Sequence, residues 1–187
     1  MKPTRENYVP SHPHICVVEF SRDGQYSSCL RATASFKAGQ VLAPLRGLTP
    51  APQRAYTSVQ CGPAHEDNIE LNSDLVYVNH SCNPTVAFDL SPKDPAQWHL
   101  RALQNIRKGD ILTFFYPSTE WDMDQPFDCQ CGDRACLGKI RGAKYLSAQE
   151  LKGRGFINKW IWDLVTLRDG RMVTNSRSTA PSPLTRL

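Results

Sequence analysis

The chain has 187 residues, a formal net charge of +4 and 40% hydrophobic residues, which fits one globular domain with an appendage. A balance this mild argues against a nucleic-acid binder, which concentrates basic residues on one face. No stretch approaches the ~18 apolar residues of a membrane span. Residues 1–7 lack the apolar core of a signal peptide, so an intracellular protein, nuclear or cytoplasmic, is the expectation.

Residues 1–13 read as irregular, with prolines at 3, 10 and 13. Ile15–Phe20 and Cys29–Phe36 are apolar and β-rich, with Asp23-Gly24 and Lys37-Ala38-Gly39 as turn signals. Val41–Leu45 reads as a strand that Pro44 confines to an edge or a bulge. Tyr56–Cys61, Val86–Leu90, Trp98–Leu103 and Ile111–Tyr116 follow, broken by proline- and glycine-containing turns. Short strands with turn signals about every 10 residues predict a mostly β (α+β) fold of several small sheets. Ser147-Ala148-Gln149-Glu150 has the form of a capping box and predicts a short helix. Phe156, Ile157, Trp160, Ile161 and Leu164 keep helical spacing, which predicts an amphipathic helix over 156–167 with Trp160 and Trp162 turned towards the core. Residues 169–187, rich in Ser, Thr, Pro and Arg, read as a disordered, solvated basic tail.

Seven cysteines are too odd a set for a disulfide framework. Cys16, Cys29 and Cys61 sit among apolar or small residues and read as plain thiols. Cys129, Cys131 and Cys136 form C-x-C-x4-C with Gly132 in the loop, three thiolates of the four that a tetrahedral structural zinc site takes. The best fourth donor is Cys82, within Asn79-His80-Ser81-Cys82-Asn83-Pro84. A disulfide or a reactive thiol pair is the alternative.

Three segments belong together: Asn79–Pro84, then Gly109-Asp110-Ile111-Leu112-Thr113-Phe114-Phe115-Tyr116, then Cys129-Gln130-Cys131-Gly132 through Cys136-Leu137-Gly138. In that order they resemble the SET-domain methyltransferases followed by a post-SET zinc motif, over roughly residues 14–146. The family's segments read N-H-S-C-x-P-N, G-(D/E)-x-L-T-(F/Y)-x-Y and C-x-C-G-x3-C-x-G. Thr85 stands where the first of them usually ends in asparagine.

The resemblance implies several small β-sheets around a knot-like crossing, where the tyrosine-bearing strand passes the Asn79–Cys82 loop. It divides residues 14–146 into a SET domain (14–117) and a post-SET segment (118–146), and the helical signals mark an extension over 147–168. It implies binding of S-adenosylmethionine and one structural zinc ion, and transfer of methyl to a protein lysine. By resemblance Tyr116 is the hydroxyl beside the methyl group, and Phe114 sets how many methyl groups the site accommodates. Asn79 and His80 match the cofactor-binding pair, and Leu137 matches a position that packs on the adenine or anchors the zinc loop. Gly24 and Tyr26 lie where a G-x-G turn usually touches the cofactor. Each is also readable as ordinary structure: Tyr116 as a tyrosine ending a core strand, Phe114 as a core phenylalanine, Asn79 and His80 as loop residues bonding local backbone.

The chain departs from the family in four places. Only Gly24 remains of the G-x-G turn; Leu45 replaces the tyrosine of an E-Y-x-G segment; Phe115 replaces an acidic residue; and the stretch from Gly47 to Asn79 is short. These changes keep open a small-molecule acceptor, or a module that binds cofactor or partner without turnover. Neither direct nucleic-acid binding nor membrane association is expected.

Overall fold

A computed structural model describes residue 6, residues 8–21 and residues 28–178, with the backbone alone over 172–178. In chain order the strands are β1 (Cys16–Glu19), β2 (Cys29–Ala32), β3 (Val41–Pro44), β4 (Thr49–Pro50), β5 (Ser58–Gln60) and β6 (Asn68–Glu70). They continue with β7 (Asn79–His80), β8 (Val86–Asp89), β9 (His99–Ala102), β10 (Ile111–Phe114), β11 (Phe127–Asp128) and β12 (Lys139–Ile140). Two helices close the chain, α1 (Ala148–Lys152) and α2 (Lys159–Ser178). This is the expected mostly β fold.

The strands form four small sheets, in the orders β1-β2-β10-β7, β3-β9-β8, β4-β6-β5 and β11-β12. Side chains alternate as a half-buried strand requires: Cys16 and Val18 are buried while Val17 and Glu19 face out. Pro44 does end an edge strand, and the register of β3 on β9 shifts between Val41 and Ala43, so both anticipated accommodations of the proline occur together. The decisive pairing is the short parallel one between β10 and β7, with Thr113 opposite Asn79 and Phe114 opposite His80. It brings the tyrosine-bearing strand alongside the Asn79–Cys82 loop.

Two hydrophobic clusters result. The first includes Leu30, Leu45, Leu75, Val86, Phe88, Leu100, Leu112 and Phe114. The second is built from Phe115, Ala143, Leu151, Ile157, Trp160, Ile161 and Val165. Successive residues of a strand point to opposite faces, so Phe114 enters one core and Phe115 the other. The departure at Phe115 thereby has a physical reason: a carboxylate there would be buried among the aromatic and aliphatic groups of the C-terminal extension. Trp160 and Trp162 both pack into that second cluster.

The capping box forms as expected. Ser147 Oγ accepts the Glu150 N–H at 3.2 Å, and the Glu150 carboxylate accepts the Ser147 N–H at 2.7 Å. The second helix differs from expectation at both ends. It starts at Lys159 rather than 156, because Asn158 turns its side chain away from capping and into the core. Asn158 is fully buried. Its amide donates to the carbonyls of Phe88 and Ser118 at 3.0 Å each and accepts the Leu90 N–H at 2.8 Å. At the other end the helix continues to Ser178, through part of the segment expected to be disordered, since no proline interrupts it before Pro181. Residues 179–187 lie outside the described residues, as does Arg186 of the basic tail.

Asn158→Ala strands the Phe88 carbonyl and the Leu90 N–H, while the Ser118 carbonyl keeps the backbone N–H of residue 158 at 3.2 Å, and should lower unfolding stability by about 2–4 kcal/mol in a denaturant titration.

Candidate functional site

The site grows from the end of β10. Tyr116 follows the strand and opens a short 3-10 turn, Tyr116–Ser118. Its ring lies 4.7 Å from that of Phe114, 5.2 Å from His80 and 5.9 Å from Phe127. Phe114, 6% exposed, also meets Phe88 edge-on at 4.8 Å, so it lines the site and fills the core at once. Burial pushes the Tyr116 hydroxyl up to about 12, with Glu120 adding to the rise and the His80 contact opposing it. The phenol is therefore neutral at every physiological pH, a hydrogen-bonding group rather than a base.

His80 connects this hydroxyl-bearing residue to the cysteines. The Tyr116 backbone N–H reaches His80 Nδ1 at 3.2 Å. A backbone N–H can only donate, so Nδ1 is the acceptor, and the proton of the neutral ring sits on Nε2. Nε2 then donates towards Cys82 Sγ, 3.4 Å away. Burial, followed by the nearby charge of Arg154, lowers the ring's pKa to about 4, which keeps this tautomer uncharged. Asn79 donates its amide to the Ser28 carbonyl at 2.8 Å, at the edge of the segment that holds Gly24 and Tyr26. Gly24 and Tyr26 themselves lie outside the described residues.

Cys82, Cys129, Cys131 and Cys136 converge, with all four sulfurs within 4.8 Å of one another. Cys82 and Cys129 are 3.9 Å apart, close to the ~3.8 Å edge of a tetrahedron with Zn–S bonds of about 2.3 Å. All four are free of disulfides, and an all-thiolate tetrahedron is the donor set of a structural zinc ion, so the residues fit that metal. β11 and β12 frame the loop, and the Cys129 N–H closes it on the Gly138 carbonyl at 2.6 Å. Gly132 takes φ +71°, the left-handed conformation that turns the chain between Cys131 and Cys136. Backbone N–H groups point at the sulfurs, among them Leu137 to Cys82 and Gly138 to Cys136, each at 3.4 Å. Leu137, half buried, packs against the second hydrophobic cluster and thus anchors the loop. Cys16, Cys29 and Cys61 stand apart from this group as free thiols, the first buried and the others half buried.

The sequence reading missed three features. One is the His80 side chain as a link between Tyr116 and Cys82, since its motif pointed to the cofactor. The second is Arg154, 7% exposed beside the cysteines. The third is a polar wall around Glu120. Glu120 accepts the Gln60 N–H at 2.9 Å, and Gln60 in turn accepts from the Trp121 N–H and from Arg54. Arg54 also bonds the Asp122 carbonyl and lies 3.5 Å from Asp124. Polar residues scattered over 54–124 give no periodic signal of such a cluster.

Two outcomes test the site. The purified chain should hold one zinc per molecule, and Cys131→Ser should lose it and loosen the 127–140 hairpin in hydrogen exchange; a Cys82→Ser protein with undiminished zinc affinity would rule out the four-ligand arrangement. Burial raises the Glu120 carboxyl above its ordinary value of 4.5, partly offset by the Gln60 N–H and Arg54. The folded chain then holds that proton more tightly than the unfolded chain, and ionisation costs stability as pH rises beyond about 4.5. Glu120→Gln, which keeps the acceptor oxygen, should match wild type in urea at pH 4 and exceed it at pH 8.

Residues 27–117 match the SET domain family model. The chain is 44% identical over 156 residues to the methyltransferase flvH of Aspergillus flavus, covering 83% of this chain and 84% of that protein. It is 27% identical over 148 residues to the histone-lysine N-methyltransferase set9 of Schizosaccharomyces pombe, covering 66% of this chain but only 29% of set9. Among solved structures, the crystal structure of KRYPTONITE in complex with mCHG DNA and SAH aligns at a TM-score of 0.47 and 21% identity, over 63% of this chain and 27% of that one. With the match to flvH running nearly end to end and the three motifs brought together in space, this chain belongs to the SET-domain methyltransferases.

Proposed function

We propose that the chain is an S-adenosylmethionine-dependent N-methyltransferase acting on the ε-amine of a protein lysine. The observation that carries this reading is the neutral, buried Tyr116 hydroxyl packed beside the Asn79–His80 strand and tied through His80 to the cysteine cluster. When bound, S-adenosylmethionine would supply an electrophilic sulfonium methyl to the amine lone pair, with the thioether as the leaving group.

The rest is work for this chain's side chains. Asn79, His80 and Leu137 are the candidates for holding the cofactor in the described part of the chain, with Gly24 and Tyr26 completing the set. The amine must arrive neutral, and only about one lysine in a thousand is neutral at pH 7. Raised to about 12, the Tyr116 phenol already carries its proton at neutral pH and has no basic form to take the ammonium's, which leaves to solvent before the amine is enclosed. Tyr116 then orients the nucleophile by hydrogen bonding, and the apolar wall of Phe114 and Phe127 excludes water and leaves room for di- or trimethylation. Cys82, Cys129, Cys131 and Cys136 would hold a zinc ion in a structural role, supplying all four of its ligands. In this reading residues 14–117 form the SET domain, 118–146 the post-SET segment and 147–168 the helical extension.

A small-molecule amine is the second reading. The buried Leu45, where the family usually carries a tyrosine, favours it, and the name of flvH specifies no acceptor. The partner is then a metabolite rather than a peptide, and the site residues keep their roles.

Calorimetry of the zinc-replete protein should show S-adenosylmethionine binding; its absence would sink the enzyme reading. Radiolabelled methyl transfer offered to a protein lysate and to a metabolite extract separates the two acceptors. Tyr116→Phe should cost about 100-fold or more in kcat with cofactor affinity little changed.

A further inference from the structure

Arg154 stands outside every motif of the family, on the turn between α1 and α2. It is 7% exposed, yet among the described residues it forms no ion pair with a carboxylate. Its guanidinium is held instead by carbonyl oxygens. Nη1 donates to Cys82 and to Ala135 at 2.8 Å each, and Nε donates to Glu150 at 3.3 Å. The cation also lies 5.6 Å over the ring of Phe115. The Glu150 carboxylate feels this cation without closing an ion pair and is itself engaged by Ser147, so the burial of the guanidinium is met mainly by carbonyl dipoles, which repay only part of the lost hydration.

The two carbonyls on Nη1 identify what is missing. Cys82 is one of the four converging thiols, and Ala135 immediately precedes another, Cys136. These residues come from different loops, one following β7 and the other joining β11 to β12. A single guanidinium therefore spans both halves of the ligand set. A divalent zinc ion bound by four thiolates carries a net double negative charge, and such a centre is tuned by the donors and charges in its outer shell.

We propose that Arg154 is a positioning residue of the metal site, the buried countercharge of its four thiolates and the strap that fixes one ligand loop against the other. The inference rests on the reading of the cysteine cluster as a zinc site. The helical extension thereby acquires a specific task, since it delivers the cation that the thiolate centre requires.

The test is zinc release from the full zinc-loaded chain under excess chelator at neutral pH, followed with a colorimetric zinc indicator. Arg154→Met removes charge and strap and should release zinc at least about 10-fold faster than wild type. Arg154→Lys loses the two-carbonyl fork but keeps the charge, and should stay within about threefold of wild type. Should Arg154→Met not fold, Arg154→Gln, neutral yet able to donate to one carbonyl, takes its place with the same expectation. Release from the neutral variant at the wild-type rate overturns the proposal, and so does Arg154→Lys releasing as fast as the neutral variant, because a purely mechanical strap treats the two alike. A wild-type chain that binds no zinc overturns the zinc reading itself, and the metal content of the starting protein distinguishes the two failures.

Discussion

The parallel pairing of Asn79–His80 with Thr113–Phe114 is only two residues long on each side, yet the site depends on it. Neither strand could hold the other by backbone bonds alone over so short a ladder. The pairing is extended on both sides by other means. The Ser81 N–H reaches the Phe114 carbonyl at 3.0 Å, and the Tyr116 N–H reaches the His80 ring. The imidazole thus replaces the next rung of the ladder, and its far nitrogen faces a cysteine sulfur. A displacement of the sulfur would be felt at the backbone of Tyr116 through one rigid ring.

That arrangement ties the geometry of the cysteines to the backbone of Tyr116. Four thiols crowded at the edge of the core are a poor arrangement unless something takes their negative charge. Burial drives Cys82 and Cys129 towards the protonated thiol, while around Cys131 the backbone N–H of Asp133 and the neighbouring sulfurs outweigh burial and lower it to about 7. A divalent ion at this site would resolve the conflict by accepting all four as thiolates.

Much of this was legible in the residues. The three motifs, Pro44 at its edge strand and the capping box at Ser147 were readable because each follows from local chemistry: a ligand set, a missing N–H, a reciprocal pair of donors. β4, β6, β7, β11 and β12 were not, because strands of two or three residues cannot display alternation. The start of α2 was misjudged because Phe156 and Ile157 continue the apolar spacing, whereas the tertiary bonds of Asn158 decide where the helix begins. Phe115 looked like a defect in a motif until the second hydrophobic cluster gave it a neighbourhood. Arg54, Gln60 and Glu120 left no trace in sequence, since what relates them is hydrogen bonding across about 60 positions.

The separations along the chain carry a consequence for how the protein comes into being. Cys82 meets Cys129 across 47 positions and Arg154 across 72, and Asn158 meets Phe88 across 70. Contacts this distant demand loop closure before they return any stabilisation, which places the fold among the slower topologies. On the ribosome the thiol of Cys82 emerges long before its partners. Until the last turn ahead of α2 has left the exit tunnel, the chain carries a Cys82 thiol whose spatial partners are not all in place. Completion of the cluster is therefore a late event, set by the C-terminal residues rather than by the domain whose motifs define the family.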